Sequence, residues 1–245
     1  MQVQFVGCGD AFGSGGRFNT CLHLHGATAN ALIDCGASSL PALKRRGIDR
    51  NAIDSILVTH FHGDHFAGVP FFILDAHFVS RRERPLTIAG PPGLNDWYRR
   101  IFDATFPGAD GNLLRFPLVL HEVEPGRTDR IGTLGVTPFH VTHDDRAGPC
   151  LAYRIEVENR IIAYSGDTGW TEALIAAGRA ADLFICECYV RDKPLREHLS
   201  LAELQRELPR IGAKRVILTH MSDDMLAHPD RIPYETASDG LTVEL

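Results

Sequence analysis

The sequence of 245 residues lacks the features of membrane and secreted proteins. It has no apolar run of the length needed to span a bilayer. Its opening segment, MQVQFVGCGD, has no basic stretch followed by an apolar one, which a secretory signal would show. Low-complexity segments and short repeats are missing as well. We therefore expect a cytoplasmic protein that has no membrane partner.

An excess of positive charge and a cysteine framework are missing too. The 25 Lys and Arg against 31 Asp and Glu give a net charge of −6, whereas nonspecific nucleic-acid binding needs a basic surface. The six cysteines have neither a secretory context nor zinc-finger spacing, so we expect reduced thiols in the core. With 44% hydrophobic and 23% charged residues, the remaining composition is that of an ordinary globular protein.

Short apolar runs alternate with amphipathic segments along the whole chain. Buried strands are predicted at 55–59 and 181–187, and Ser200 with Glu203 forms the capping box of a later helix. The element order of residues 116–245 resembles that of residues 1–115. We predict one domain over residues 1–245, built from these two halves. Two packed sheets covered by helices on both faces would make it an α/β protein, a four-layer αββα sandwich.

The segment THFHGDHFAG contains several good metal ligands within one turn. His60 and His62 alternate along the end of a predicted strand, so both side chains project to the same side. Asp64 and His65 follow Gly63, where a sharp turn of the chain would aim a second pair elsewhere. Imidazole nitrogen and carboxylate oxygen suit zinc and neighbouring divalent metals. The pattern therefore predicts two adjacent metal ions.

The spacing H-x-H-x-D-H resembles the signature of the metallo-β-lactamase superfamily, whose fold is the αββα sandwich. Later motifs match in order: FHVTH with His143, YSGDT with Asp167 and ILTH with His220. The resemblance implies two divalent ions, with Zn²⁺ expected and Mn²⁺ or Fe²⁺ as alternatives. It implies a first ion held by His60, His62, His143 and Asp167, and a second held by Asp64, His65, Asp167 and His220, with a hydroxide between the two.

Two assignments around this cluster depend on strand geometry. His140 competes with His143 for the ligand role, and we prefer His143 because it ends a strand, as His60 and His220 do. Asp34, in LIDCG, matches a recurrent aspartate of the superfamily. We expect Asp34 to accept the second N–H of a ligand histidine. The alternative for this aspartate is a simple turn residue.

Further features resemble the ribonuclease Z-like phosphodiesterases of this superfamily. β-Lactamases typically carry cysteine where this chain has Asp167, and a carboxylate between two cations suits phosphoryl chemistry. The opening VGCGDAFGSGGRFNT and the segment GPPG at 90–93 resemble that branch. The resemblance implies that Gly13, Arg17 and Asn19 of the opening loop contact the substrate, with backbone N–H groups facing an anion.

The segment EHLS is the most specific of these features. The branch has a histidine in this H-x-S context that faces the scissile phosphate, and His198 matches it. Glu187, in ICECY, is the candidate partner that would orient and charge the imidazole. His198, Glu187 and Asp64 are therefore the expected catalytic residues. A solvated histidine at a helix entry and a surface acid are the alternatives for His198 and Glu187.

The interval before the bridging aspartate separates this chain from full ribonuclease Z enzymes. His143 and Asp167 lie 24 positions apart, whereas those enzymes insert a long arm there that grips tRNA. We therefore predict a dinuclear metal-dependent hydrolase, a phosphodiesterase that acts on a small, cyclic or RNA-derived phosphodiester through the bridging hydroxide. The alternatives are a thioester or lactone hydrolase and a ribonuclease Z-type tRNA 3′ processing endonuclease. A homodimer is expected by analogy with the branch.

Overall fold

The computed structural model describes residues 1–109 and 114–245, which form two mixed β-sheets with helices on their outer faces. In chain order the strands are β1 (Gln2–Gly7), β2 (Cys21–His25), β3 (Asn30–Ile33), β4 (Ser55–Leu57), β5 (Leu86–Gly90), β6 (Leu118–Glu122), β7 (Asp129–Ile131), β8 (Leu134–His140), β9 (Leu151–Val157), β10 (Arg160–Tyr164), β11 (Leu183–Glu187), β12 (Val216–Thr219), β13 (Glu235–Thr236) and β14 (Thr242–Glu244).

The helices lie between these strands, and several are short. They are α1 (Ser39–Arg45), α2 (Gly63–Phe66), α3 (Val69–Leu74), α4 (Leu94–Thr105), α5 (Ala173–Gly178), α6 (Leu201–Ile211) and α7 (Asp223–Leu226). A π-helical segment, Asp75–Val79, continues α3. Helix α6 begins with the predicted capping box, in which Ser200 and Glu203 exchange side-chain-to-backbone hydrogen bonds. Among the described residues, no helix is both long enough and apolar enough to cross a membrane.

Each sheet combines a parallel part with an antiparallel part. The first sheet has the order β14-β1-β2-β3-β4-β5-β6, and its strands run parallel from β3 to β6. The second has the order β13-β12-β11-β10-β9-β8-β7, and its strands run parallel from β10 to β13. The carboxyl ends of parallel strands meet at one edge of each sheet, and such edges are where α/β proteins place their ligands.

The main core lies between the two sheets. Alternation along β11 shows how it forms: Leu183 and Ile185 face the first sheet, whereas Phe184 and Cys186 face α5 and α6. A second apolar cluster fills the space between the first sheet and helices α1, α3 and α4. All six cysteines are buried and none forms a disulfide. This layering confirms the predicted αββα sandwich.

The two sheets do not follow the order of the chain strictly. Strand β6 follows residue 115, yet it pairs with β5 in the first sheet. The last strand, β14, returns to pair with β1 at the opposite edge of that sheet. Both sheets share one core and the chain crosses between them twice, so the two sheets do not coincide with the predicted halves. The division into halves at residues 115 and 116 stays a prediction.

Candidate metal centre and active site

The candidate site lies where strands end. His60 follows β4, His220 follows β12, and Asp167 follows β10 by three residues. Asp34 and Glu187 occupy the corresponding ends of β3 and β11. Because these are parallel strands within their sheets, their carboxyl ends bring side chains that are distant in sequence to one edge of the sandwich.

Three of the predicted ligand histidines form one group. The Nδ1 atom of His62 lies 3.0 Å from Nε2 of His60 and 3.1 Å from Nε2 of His143. Burial holds the pKa of His60 well below its usual value, so its imidazole is neutral and offers a lone pair. His140, the competing histidine, ends β8 on the exposed side of the sheet. The structure therefore brings His143 into the group and leaves His140 outside it.

The other four predicted ligands form a second, buried group. Nε2 of His65 lies 3.2 Å from a carboxylate oxygen of Asp64 and 3.2 Å from one of Asp167. Nε2 of His220 lies 3.2 Å and 3.3 Å from the same two oxygens. Although burial opposes ionisation, the imidazoles of His65 and His220 hold the pKa of Asp64 below its usual value.

The division of the motif between the two groups has a different cause from the one expected. Gly63 does not adopt a left-handed conformation, and a Cβ atom there would make only an ordinary 3.7 Å contact. Instead, His62 is extended and α2 begins at the next residue, so the change from extended to helical backbone turns Asp64 and His65 away from His60 and His62. The expectation that glycine freedom splits the ligands was wrong.

Close backbone approach at other glycines holds α2 in place. A Cβ atom on Gly36 would lie 2.0 Å from the carbonyl oxygen of Asp64, and one on Gly68 would lie 2.1 Å from that of Gly36. Only glycine fits such contacts. The loop after β3 therefore packs directly against the helix that carries Asp64 and His65.

Asp34 lies behind the second group. Its carboxylate is fully buried, accepts hydrogen bonds from the backbone N–H and hydroxyl of Thr59, and lies 2.7 Å from Nδ1 of His65. This contact matches the predicted role, because it directs Nε2 of His65 toward Asp64 and Asp167. Asp34 and His220 both have positive φ angles, 61° and 56°, a conformation that costs free energy and is concentrated at functional sites.

We expect Asp34→Asn to weaken divalent-metal affinity by about 10- to 100-fold, the usual effect of removing a carboxylate behind a metal-bound histidine. Competition titration with a chromogenic chelator measures this dissociation constant. Asp54→Asn is the matched control, since Asp54 pairs with Arg84 at the surface. An unchanged affinity in a variant whose metal-free form unfolds at the wild-type temperature would contradict the role.

The donor set fits divalent cations. Three imidazole nitrogens face one another in the first group, and a cation satisfies their lone pairs in a way that shared protons cannot. Oδ1 of Asp167 is buried without a hydrogen-bond partner among the described residues. Ligand atoms of Asp167 lie within 4.8 Å of His143 as well as of the second group. The cluster could therefore hold metal, with Asp167 between two positions.

The His198–Glu187 pair lies beside this cluster. Glu187 is fully buried, and its carboxylate accepts the backbone N–H groups of Thr168 and Leu199. Its Oε1 atom lies 3.0 Å from Nδ1 of His198. Although burial disfavours an imidazolium, the Glu187 carboxylate raises the pKa of His198 to about 9. The structure thus brings these two residues together, as the sequence predicted.

One cavity of about 360 Å³ connects these groups. Its wall includes His62, Asp64, His143, Asp167, His198 and His220, together with residues that the sequence analysis did not select, Ala11, Phe12, Asp144, Tyr189 and Glu197. Tyr189 stacks on His198 with 4.6 Å between ring centroids. Asp144 lies 3.6 Å from Nε2 of His62. The sequence offered one signal for each of two of these residues: Asp144 directly follows His143, and Tyr189 lies just after the end of β11.

The glycine-rich opening loop makes most of its hydrogen bonds within the protein. Asn19 is engaged inside the protein, because its amide donates to the carbonyl of Asp10 and accepts from Ser38. Arg17 lies 3.6 Å from the thiol of Cys8. Gly13 supplies a left-handed backbone turn. Ala11 and Phe12 are the residues of this loop that line the cavity, so a substrate-binding role for Gly13, Arg17 and Asn19 stays a prediction.

The fold and the His/Asp cluster define a metal-dependent hydrolase of the metallo-β-lactamase superfamily, in its ribonuclease Z-like branch. Ribonuclease BN of Cronobacter sakazakii is 30% identical over an alignment of 280 positions, which covers 91% of this chain and 89% of that protein. The chain belongs to the family described as Anti-Pycsar protein Apyc1, whose model matches residues 1–236.

Solved structures share this fold over nearly their whole length. The short form of human tRNase Z has a TM-score of 0.79 at 24% identity, covering 100% of this chain and 99% of that one. A diphosphatase from the PhnP family has a TM-score of 0.80 at 19% identity, covering 100% of this chain and 97% of that one.

Proposed function

We propose that this protein is a phosphodiesterase that hydrolyses a small, cyclic phosphodiester of about nucleotide size. One observation carries the proposal: His198, whose Nδ1 atom contacts the buried Glu187 carboxylate, lines the same cavity as the His/Asp cluster. A group able to donate a proton therefore lies beside a group of ligands able to hold cations. Hydrolysis of a phosphodiester needs both, because charge develops on phosphate oxygens while an alkoxide leaves.

The size of the cavity favours a small substrate. Its volume of about 360 Å³ is near the lower end of the range for small-molecule sites, roughly 300–1,000 Å³. Between His143 and Asp167 the chain forms a 3-10 turn at Asp145–Ala147 and then the antiparallel pair β9 and β10. Glu158 and Asn159 turn this pair tightly, with φ angles of 51° and 59°. This interval therefore contains no arm that would grip a structured RNA.

The residues of the His/Asp cluster would form two metal sites. His60, His62, His143 and Asp167 would hold one cation, and Asp64, His65, Asp167 and His220 the other. When bound, divalent cations activate water and offset negative charge on a phosphodiester. We propose Zn²⁺ as the metal, because it suits a donor set rich in imidazole.

His198 is the proposed general acid. Glu187 engages its Nδ1 atom, so Nε2 is the nitrogen that would donate a proton to the leaving oxygen. Tyr189 stacks on one face of the imidazole and restricts its rotation. Because Glu187 is itself fixed by two backbone N–H groups, the imidazole is held in one orientation before substrate arrives.

A substrate panel tests the proposal. We expect metal-loaded protein to hydrolyse 3′,5′- or 2′,3′-cyclic nucleotides with kcat/KM at least about tenfold above that for a thioester, a lactone or a tRNA precursor with a 3′ trailer. Protein freed of metal by chelation is the matched control. Preferred cleavage of the precursor would favour the ribonuclease Z alternative, and preferred thioester or lactone hydrolysis would overturn phosphodiesterase function.

A further inference from the structure

Phe12 is an unusual residue at the cavity. Its side chain is 84% exposed, the highest value among the large hydrophobic residues that the structure describes, and it also lines the wall of the candidate active site. An exposed phenyl ring forgoes the favourable free energy that burial of its apolar surface would provide. Near a site rich in charged groups, such a ring requires an explanation.

The loop around Phe12 is held rigidly. Asp10 is fully buried, and its carboxylate accepts hydrogen bonds from the backbone N–H of Phe12 and from the N–H and hydroxyl of Ser14. Gly15 donates its N–H to Asp223 at the start of α7, which ties the loop to the second sheet's side of the molecule. The backbone that carries the exposed Phe12 ring is therefore held in place at the cavity rim.

The same hydrogen bonds show what this loop does not do. The backbone N–H groups of Phe12, Gly13, Ser14, Gly15 and Gly16 all donate to acceptors within the protein. They are thus unavailable to hold a phosphate, contrary to the role expected for a glycine-rich loop. The residues of this loop that line the cavity are Ala11 and Phe12, and both are apolar.

We propose that Phe12 is a stacking platform for the planar, aromatic part of the substrate, which is the nucleobase if the substrate is a cyclic nucleotide. This inference rests on the proposed phosphodiesterase function. The polar cluster would bind the phosphate end of the substrate, and the apolar Phe12 ring, carried on a hydrogen-bonded loop, would contact the other end. Every base offers a π-face, so such a platform favours nucleotides over base-free phosphodiesters.

The experiment compares two substrates that differ only in the base. One is a 3′,5′-cyclic nucleotide, and the other is the 3′,5′-cyclic phosphate of 1-O-methylribose. We expect Phe12→Ala to raise KM for the nucleotide by about 10- to 100-fold and to leave KM for the base-free compound within about twofold. Phe12→Trp should retain the low KM for the nucleotide, because indole also stacks. Phe78→Ala is the matched control, since Phe78 is 68% exposed and lies outside the cavity wall.

Binding provides a readout that does not depend on turnover. Calorimetry with a phosphorothioate cyclic nucleotide should show the same loss of affinity in Phe12→Ala. Equal effects of Phe12→Ala on both substrates, or no effect on either, would overturn the inference while leaving phosphodiesterase function intact. Wild-type protein that neither binds the phosphorothioate nor hydrolyses either compound would overturn both.

Discussion

Replacing Asp167 with asparagine should lower turnover of a cyclic phosphodiester by about a thousandfold or more and reduce the metal content of the protein. Asp167 contacts His65 and His220 of the second group directly, and its ligand atom also lies within 4.8 Å of that of His143 in the first group. A single stabilising donor at a reacting oxyanion is worth about 10²–10³ in rate. Asp167 contributes to the positions of both proposed cations, so we expect its loss to exceed that range.

The Asp167→Asn substitution should lower turnover by more than the loss of one negative charge would. One oxygen of Asp167 lies 3.2 Å and 3.3 Å from Nε2 of His65 and His220, and the other is buried without a partner among the described residues. Asparagine would place an amide N–H₂ at one of these positions, which repels a cation and cannot donate to an occupied ligand nitrogen. Both the charge and the donor geometry change.

Elemental analysis and steady-state kinetics on the same preparation test this expectation. Metal content should fall from two ions per chain toward one, and kcat should fall with it. Asp230→Asn is the control, because Asp230 is exposed and lies outside the cavity wall. Full metal content together with wild-type kcat in Asp167→Asn would contradict a bridging role.

Much of the fold was predictable because its signals are local. The buried runs that became β4, β11 and β12 are apolar, short and bounded by polar residues, and the capping box of α6 lies within four residues. Strand β14 was not predicted, since three residues carry little periodicity and its partner β1 is more than 200 positions away. Strand pairing at that separation depends on the assembled sheet.

The candidate site also contains residues that the sequence predicts and residues that only the folded structure reveals. The residues of the H-x-H-x-D-H motif were predictable because they share one segment. The pairing of His198 with Glu187 was predicted from the resemblance, and in the structure Nδ1 of His198 lies 3.0 Å from Oε1 of Glu187. Phe12 was missed because exposure is a property of the folded surface, and a phenylalanine in a loop is usually buried. The substrate contact expected for Asn19 stays a prediction, and the hydrogen bonds of its amide to Asp10 and Ser38 are visible only in the folded loop.

Replacing His198 with alanine should lower kcat by about 10²- to 10⁴-fold on a substrate with an alkoxide leaving group, the usual contribution of a positioned general acid. The loss should be much smaller on a bis-aryl phosphate, because a nitrophenolate leaves without protonation. His228→Ala is the control, since His228 is exposed and outside the cavity wall. An equal loss on both substrates would show that His198 does not donate the proton.

Glu187→Gln separates this role from simple packing. Glutamine keeps one carbonyl oxygen, which can still accept from Thr168 and His198, but it places an amide N–H₂ near the backbone N–H of Leu199 and removes the negative charge that raises the pKa of His198 to about 9. A general acid must be protonated, so activity declines as pH rises through its pKa. With Glu187→Gln that pKa falls, and the alkaline limb of the kcat profile should move to lower pH, leaving activity at acidic pH less affected. An alkaline limb that stays in place would contradict an electrostatic role for Glu187, since loss of packing alone would lower the whole profile without shifting it.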